Sequence, residues 1–477
     1  MDDLQRRFSS WLIELAERDP EDWQTISGEA EHFPRVWTMV ADDPEASIRF
    51  VLAIRLFCLR QGLASEYLEW SRVAVEHARR LGRAEDKIRL LLSIGLTLED
   101  LDDPADALSH YGQALEVAEQ IGDASWKAYA WNNIGVAMNQ LDRPDDALHY
   151  YGLALEVWKR EGDREAYATL LHNIARIHAD RGDQTQALRF LEQALPIHRE
   201  ESDPESEATT LHTMGVRYEM LGETGRTMEC FTRALQLKRD TGDRRGEANV
   251  LNSLALLHED LGESDQAQQY YREALAIREQ RGDRGGQAET LTSIGALLSK
   301  RSEVETALDY HRRALAIQED LGDAAGQAAV LNNIGFAYAQ VDDADQALPY
   351  FEQALELARE ADDAEVLAGT LNNLGLRYHE AGRHRNAFSC FREALEAARR
   401  ISRRSDEGVA LNNLGLVCAG TGRRRCAREL YARALAIHQE TRDSDEEATT
   451  LSNLATLDLE EGDLHCARER LARVVEM

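Results

Sequence analysis

The chain is 477 residues long, 43% apolar and 30% charged, with eight prolines and 31 glycines, the make-up of a folded helical protein with short turns, which excludes a disordered or collagen-like chain. Asp and Glu outnumber Lys and Arg by 86 to 55, a formal charge of −31, and this argues against nucleic-acid binding and against docking on an anionic membrane. No apolar run approaches the roughly 20 residues of a membrane span, and the N-terminal residues mix charges into an amphipathic pattern without the apolar stretch of a leader, so a soluble, cytoplasmic protein is expected.

Residues 1–44 read as a helical cap of two amphipathic helices divided near Asp19 and Pro20, with Trp11, Trp23, Phe33 and Trp37 available to pack on the first repeat unit. From 45 to 477 the sequence repeats itself. LLSIG, ending at Gly95, returns as WNNIG to Gly135, LHNIA to Ala175, LHTMG to Gly215, LNSLA to Ala255 and LTSIG to Gly295. It continues as LNNIG to Gly335, LNNLG to Gly375 and to Gly415, and LSNLA to Ala455, ten copies with a period of 40 and no slip. A second motif keeps step, as DDALHYYGLALEV around Ala147 and Ala154 and DQALPYFEQALEL around Ala347 and Ala354.

Between the motifs stand pairs such as Gly182-Asp183, Gly222-Glu223 and Gly282-Asp283, a glycine to end one helix and an acid to start the next. Each unit is therefore helix A, turn, helix B, turn. Leu331, Ile334, Tyr338, Leu348, Phe351 and Leu355 follow the i, i+3, i+4, i+7 spacing of a buried stripe. One helix pair cannot bury such a stripe alone, so the units must stack, giving an all-α solenoid of about ten to eleven antiparallel helix pairs.

Further along, residues 383–433 carry twelve arginines against five acids. Such a stretch is either a solvated helix face or a dock for an acidic segment or phosphate backbone. The six cysteines, Cys58, Cys230, Cys390, Cys418, Cys426 and Cys466, show no C-x-x-C spacing and read as reduced, mostly buried thiols. The last helix, from Leu464, finishes on Val474, Val475 and Met477 and offers a surface for weak homo-oligomerisation, with Arg428 and Arg468 in its leucine column as counterweights.

The alternation of Gly/Ala, aromatic and Ala resembles the tetratricopeptide repeat in its 40-residue form. TLNNLGLRYHEAGRHRNAFSCFREALEAAR, from Thr370, resembles kinesin light chain repeats and Pins-type adaptors. The resemblance implies a right-handed superhelical array whose A helices line a concave groove for protein segments. At the N-terminus, LQRRFSSWLIELAER through EAEHFPRVWTMVADDPEASIRFVLAIRLF resembles the opening of the repeat sensor half of bacterial STAND signalling ATPases, which implies a sensor without its motor.

None of the five lysines follows a glycine, so a Walker-type phosphate loop is missing. H-E-x-x-H, G-x-S-x-G and EF-hand patterns are absent, and His379 and His384 are spaced wrongly for a zinc pair on one helix face. No catalytic residue, metal or cofactor is expected.

Binding residues are sought on the face of helix A opposite Leu331, Ile334 and Tyr338, reached by the 100° step of the helix. One column there reads Ser93, Asn133, Asn173, Thr213, Ser253, Ser293, Asn333, Asn373, Asn413, Asn453, all small hydrogen-bonding residues at positions where better helix formers would otherwise stand. Asn offers a donor and an acceptor to an extended peptide backbone, and the kinesin light chain resemblance implies that role where Asn stands. A small polar residue also lets neighbouring A helices approach, and both readings stay open. The next column is apolar, with Leu96, Val136, Val216, Leu256, Ala296, Phe336, Leu376 and Leu416, interrupted by Arg176. Asp100, Asp180, Asp260, Glu380 and Glu460 make its rim acidic, so a protein or peptide ligand with apolar and basic residues is expected. The rival is a structural scaffold that uses the convex face or the ends.

Overall fold

A computed structural model describes residues 32–341, 344–441 and 443–476. These residues form 23 α-helices in sequential antiparallel pairs and no strand. Helix α1 is Phe33–Val40; α2 (Pro44–Arg60) and α3 (Ala64–Arg80) form a hairpin; ten A–B hairpins follow, from Ala84–Asp100 with Pro104–Ile121 to Ser444–Glu461 with Leu464–Glu476. The chain divides into two compact units, one ending at Gly242 and the other starting at Asp243. The cap residues Trp11 and Trp23, with the break at Asp19 and Pro20, lie outside the described residues. Phe33 is fully buried against Phe50, and Trp37 stacks on Trp70 with ring centroids 5.6 Å apart, so α1 packs on the first hairpin.

The turns follow from their residues. A left-handed residue recurs every twenty positions, mostly glycine, as at Gly122 (φ 73°) and Gly282 (φ 68°), because only glycine takes that conformation without steric cost. Ser202, Ser302 and Ser402 take it too, at φ 56°, 61° and 56°. The acid that follows caps the next helix only when it is aspartate: Asp123, Asp183, Asp283 and Asp323 each accept an N–H of the first turn. Glu223, Glu263 and Glu303 hold the same position without a side-chain cap. The expectation that either acid would serve is thus corrected, since the extra methylene of Glu takes its carboxylate past the backbone N–H that Asp meets.

Within a hairpin, a ring on helix B lies on a glycine of helix A. Tyr151 covers Gly135, Phe231 covers Gly215, Phe391 covers Gly375 and Tyr431 covers Gly415, and at each glycine a Cβ would overlap the ring. Between hairpins, an arginine at the end of one B helix reaches a glutamate on the next A helix, as with Arg199 to Glu207 at 2.8 Å and Arg399 to Glu407 at 2.9 Å. The glutamates are almost covered, so these pairs are more than the loose surface bridges that contribute little. In the last described hairpin the buried Asp458 takes the place of the usual aromatic or apolar residue and is held by Arg428 at 2.7 Å and by Arg470. Arg428, expected to be a solubilising replacement for leucine, is the partner of a buried carboxylate.

Candidate functional site on the A-helix face

The A helices turn Leu331, Ile334 and Gly335 into the core and leave Asn333 partly covered and Phe336 and Gln340 exposed, as the 3.6-residue period requires. The polar column does not simply face outward. The Asn373 amide donates to Asn332 Oδ1 of the preceding A helix at 3.0 Å, Asn413 to Asn372 at 3.4 Å, Asn453 to Asn412 at 3.0 Å and Asn173 to Asn132 at 3.0 Å. Each bond joins residues 41 apart, one repeat plus one position. Asn413 is buried, and Thr450 adds a second donor to Asn412. Asn133 accepts a bond from its neighbour Asn132 at 3.3 Å. Four of the six candidate asparagines therefore use their donors to hold one A helix against another.

At two of the hydroxyl positions the bond stays within the helix: Thr213 donates to the Thr209 carbonyl at 2.9 Å and Ser293 to that of Glu289 at 3.2 Å. The adjoining apolar column is the more accessible one. Leu256 is 44% and Phe336 43% exposed, while Val136, Leu376 and Leu416 are half-covered and Arg176 is exposed.

Two hollows open on this face. In the second unit a cavity of about 340 Å³ brings together Phe336, Asn373 and Leu376, with Gln340, Arg377 and Glu380 at its edge and the Phe351 ring at its floor. In the first unit one of about 370 Å³ brings Asn173 to Arg176, beside His172, Asp180, Thr213 and Arg217. A third, of about 420 Å³, lies between α2 and Ala84–Asp100 and is lined by Arg49, Arg55, Arg83 and Arg89 over Leu52 and Leu56. Its α2 wall carries no copy of the repeated motif, so no column of the sequence points to it.

The rim is less acidic than its sequence. Asp100 is paired with Arg55, Glu380 with Arg377 at 2.8 Å, and Glu460 with Arg424 at 3.7 Å. The arginine-rich stretch is likewise engaged: Arg399 and Arg404 both hold Glu407, Arg400 holds Asp362 at 2.8 Å, and Arg403 holds Glu365 at 2.6 Å. Several of its charges thus serve to join repeats.

Burial tunes several groups near the face. It pushes Glu99 up to about 7 and lowers His172 and His212 to about 4, each because the charged form would lose its hydration. Among the described residues, one group of metal-type ligands converges, His465, Cys466 and Glu469, with ligating atoms within 4.8 Å on the last helix. Two of the three are exposed. No helix of the described residues is long and apolar enough to cross a membrane.

A family model described as tetratricopeptide repeat matches residues 126–200, 206–280, 246–320, 326–400 and 406–477. None of the curated proteins matches the chain significantly. Among solved structures, the chain is similar to BtubC from P. vanneervenii (21% identity, 45% of this chain and 90% of that one, TM-score 0.41). It is also similar to a Rap protein crystallised with Competence and Sporulation Factor (15% identity, 75% and 99%, TM-score 0.48). A third is a Signal Transduction ATPase with Numerous Domains protein with a tetratricopeptide repeat sensor, from Pyrococcus horikoshii (16% identity, 75% and 54%, TM-score 0.46).

Proposed function

Because the chain belongs to the tetratricopeptide repeat family, we propose that it is a non-catalytic protein-interaction module, an adaptor or sensor that takes up a segment of a partner protein on its A-helix face and acts on a separately encoded effector. The observation that carries this reading is the column of apolar side chains left half-exposed on a face turned away from the core, above all Phe336 and Leu376 around the 340 Å³ hollow. Apolar side chains kept in water at a regular spacing next to hydrogen-bonding groups suit a ligand with apolar anchors. Arg377 and Glu380 bring both signs of charge to that hollow, so its selectivity rests on apolar fit before charge.

The bridging amides favour a second reading for the polar column itself: there the asparagines hold the array together. The functional test therefore avoids them. A partner recovered with the full chain from its native lysate is titrated against wild type, Phe336→Ser with Leu376→Ser, and Asn333→Ala. The double variant is expected to bind at least about tenfold more weakly, or about 1.4 kcal/mol, with unchanged helix content, and Asn333→Ala to fall between. Equal affinity in all three would replace the groove reading with that of a scaffold working through other surfaces.

A further inference from the structure

Cys418 and Cys426 are far from any C-x-x-C spacing, yet the fold sets their sulfurs 2.9 Å apart across the turn between the helices Arg404–Gly420 and Arg424–Thr441. This is a property of the hairpin. The same two positions in the repeat 204–241 are Tyr218 and Arg226, and there the guanidinium lies over the ring, 5.3 Å from its centroid. The hairpin presses these two columns together in both repeats, and in the repeat 404–441 both are cysteine. The pair is asymmetric. Cys418 is buried in a cluster with Ala427, Tyr431, Leu454 and Leu457, while Cys426 is exposed, and both are free thiols.

We propose that Cys418 and Cys426 form a redox modification site, closed to an intramolecular disulfide by a hydroperoxide. The exposed Cys426 attacks as its thiolate, breaking the O–O bond; one oxygen stays on sulfur as the sulfenic acid and the other leaves as hydroxide, which takes up a proton. The buried Cys418 sulfur then displaces the sulfenic oxygen, its proton leaving with that oxygen as water. Two thiols and one hydrogen peroxide become one disulfide and two waters, with two electrons passing from the sulfurs to the peroxide. Free sulfurs at 2.9 Å have under about 1 Å to travel to the S–S bond length, and Cys418 has no other described cysteine placed against it. The bond would tie the end of the A helix that carries Asn413 and Leu416 to the first turn of its B helix, and thiols would reopen it.

The full chain, reduced and then treated with hydrogen peroxide, is read by intact mass, by alkylation in denaturant and by tryptic mapping. The expected result is a mass lower by two hydrogens, alkylatable thiols falling from the six of the sequence to four, and a peptide link between Cys418 and Cys426 reversed by dithiothreitol. Cleavage after Arg423, Arg424 and Arg425 separates the two cysteines unless they are bonded. Cys426→Ser, a surface change checked by circular dichroism, should retain its five remaining thiols under the same treatment. Six thiols still alkylatable, sulfinic acid on Cys426 without a link, or a bond to Cys466 or to a second chain would each overturn the assignment.

Discussion

The same column of the A-helix face is solved in two ways. From Ala364 to Glu461 its residues are Asn373, Asn413 and Asn453, and each reaches across to the preceding A helix. From Pro204 to Leu321 they are Thr213, Ser253 and Ser293, and the Thr213 and Ser293 hydroxyls bond their own helix. Helices 244–260 and 284–300 meet more sparsely than 364–380 and 404–420 do. At this position the Thr213 and Ser293 hydroxyls fall back on the carbonyl four residues earlier; an amide reaches further and offers a donor to the neighbouring helix. The column is thus a packing device at Asn173, Asn373, Asn413 and Asn453.

The largest expected effect comes from removing that device. Asn373→Ala, Asn413→Ala and Asn453→Ala together should cost about 3 kcal/mol or more, since each deletes a bond worth about 1 kcal/mol and the loss of Asn413 leaves the Asn372 acceptor without its donor. Alanine is the better helix former, so loss of amide protection confined to residues 364–461 in hydrogen exchange would locate the cause in the bridges. Unchanged protection there would mean the amides add nothing to the packing. Substituting asparagines to probe ligand binding therefore also disturbs the fold, which the sequence alone did not reveal.

A second difference concerns the ring that covers the core glycine. In the asparagine stretch it is Phe391 or Tyr431; in the hydroxyl stretch it is Phe231 on Gly215 but His311 on Gly295, fully buried with no hydrogen-bond partner for either nitrogen. Burial lowers it from 6.5 to about 4. Below pH 6.5 the unfolded chain takes up a proton there that the folded chain refuses. Its contribution to stability is therefore complete above that pH and is lost as the pH falls towards 4, by up to about 1.4 kcal/mol per pH unit. His311→Phe should flatten that part of the acid limb in urea titrations between pH 7 and 4, and leave the share due to His172 and His212. An identical acid limb in the variant would show that His311 titrates normally.

The smallest expected change is a gain. Asn252 has a buried Oδ1 without a partner, and Ser293 stands 41 residues on, where an asparagine elsewhere supplies the missing donor. Ser293→Asn should raise stability by about 1 kcal/mol and shift the urea midpoint upward with an unchanged slope. A destabilised variant would mean that 244–260 and 284–300 lie too far apart for an amide to bridge.

Much of this was legible in advance. The period of 40 fixed the helix pairs, the glycine and small-residue columns fixed where rings and helices meet, and the 100° step correctly put Asn333, Phe336 and Gln340 away from the core. Those features depend on residues near one another in the chain, where local geometry dictates the outcome. The cap aspartates were legible for the same reason, while the glutamates misled because the sign of a charge says nothing of its reach.

What the sequence by itself determined, then, is a stack of tetratricopeptide hairpins and the residues each hairpin turns inward or outward. Only the tertiary structure decided what the outward residues touch. It joined Asn373 to Asn332, paired the arginines of residues 399–404 with acids on neighbouring helices, gave Arg428 to the buried Asp458, and set Cys418 against Cys426. Each of these depends on the distance between two helices and the length of the side chains crossing it. Those distances are set by the packing of all the neighbouring side chains at once, which no single column of residues encodes.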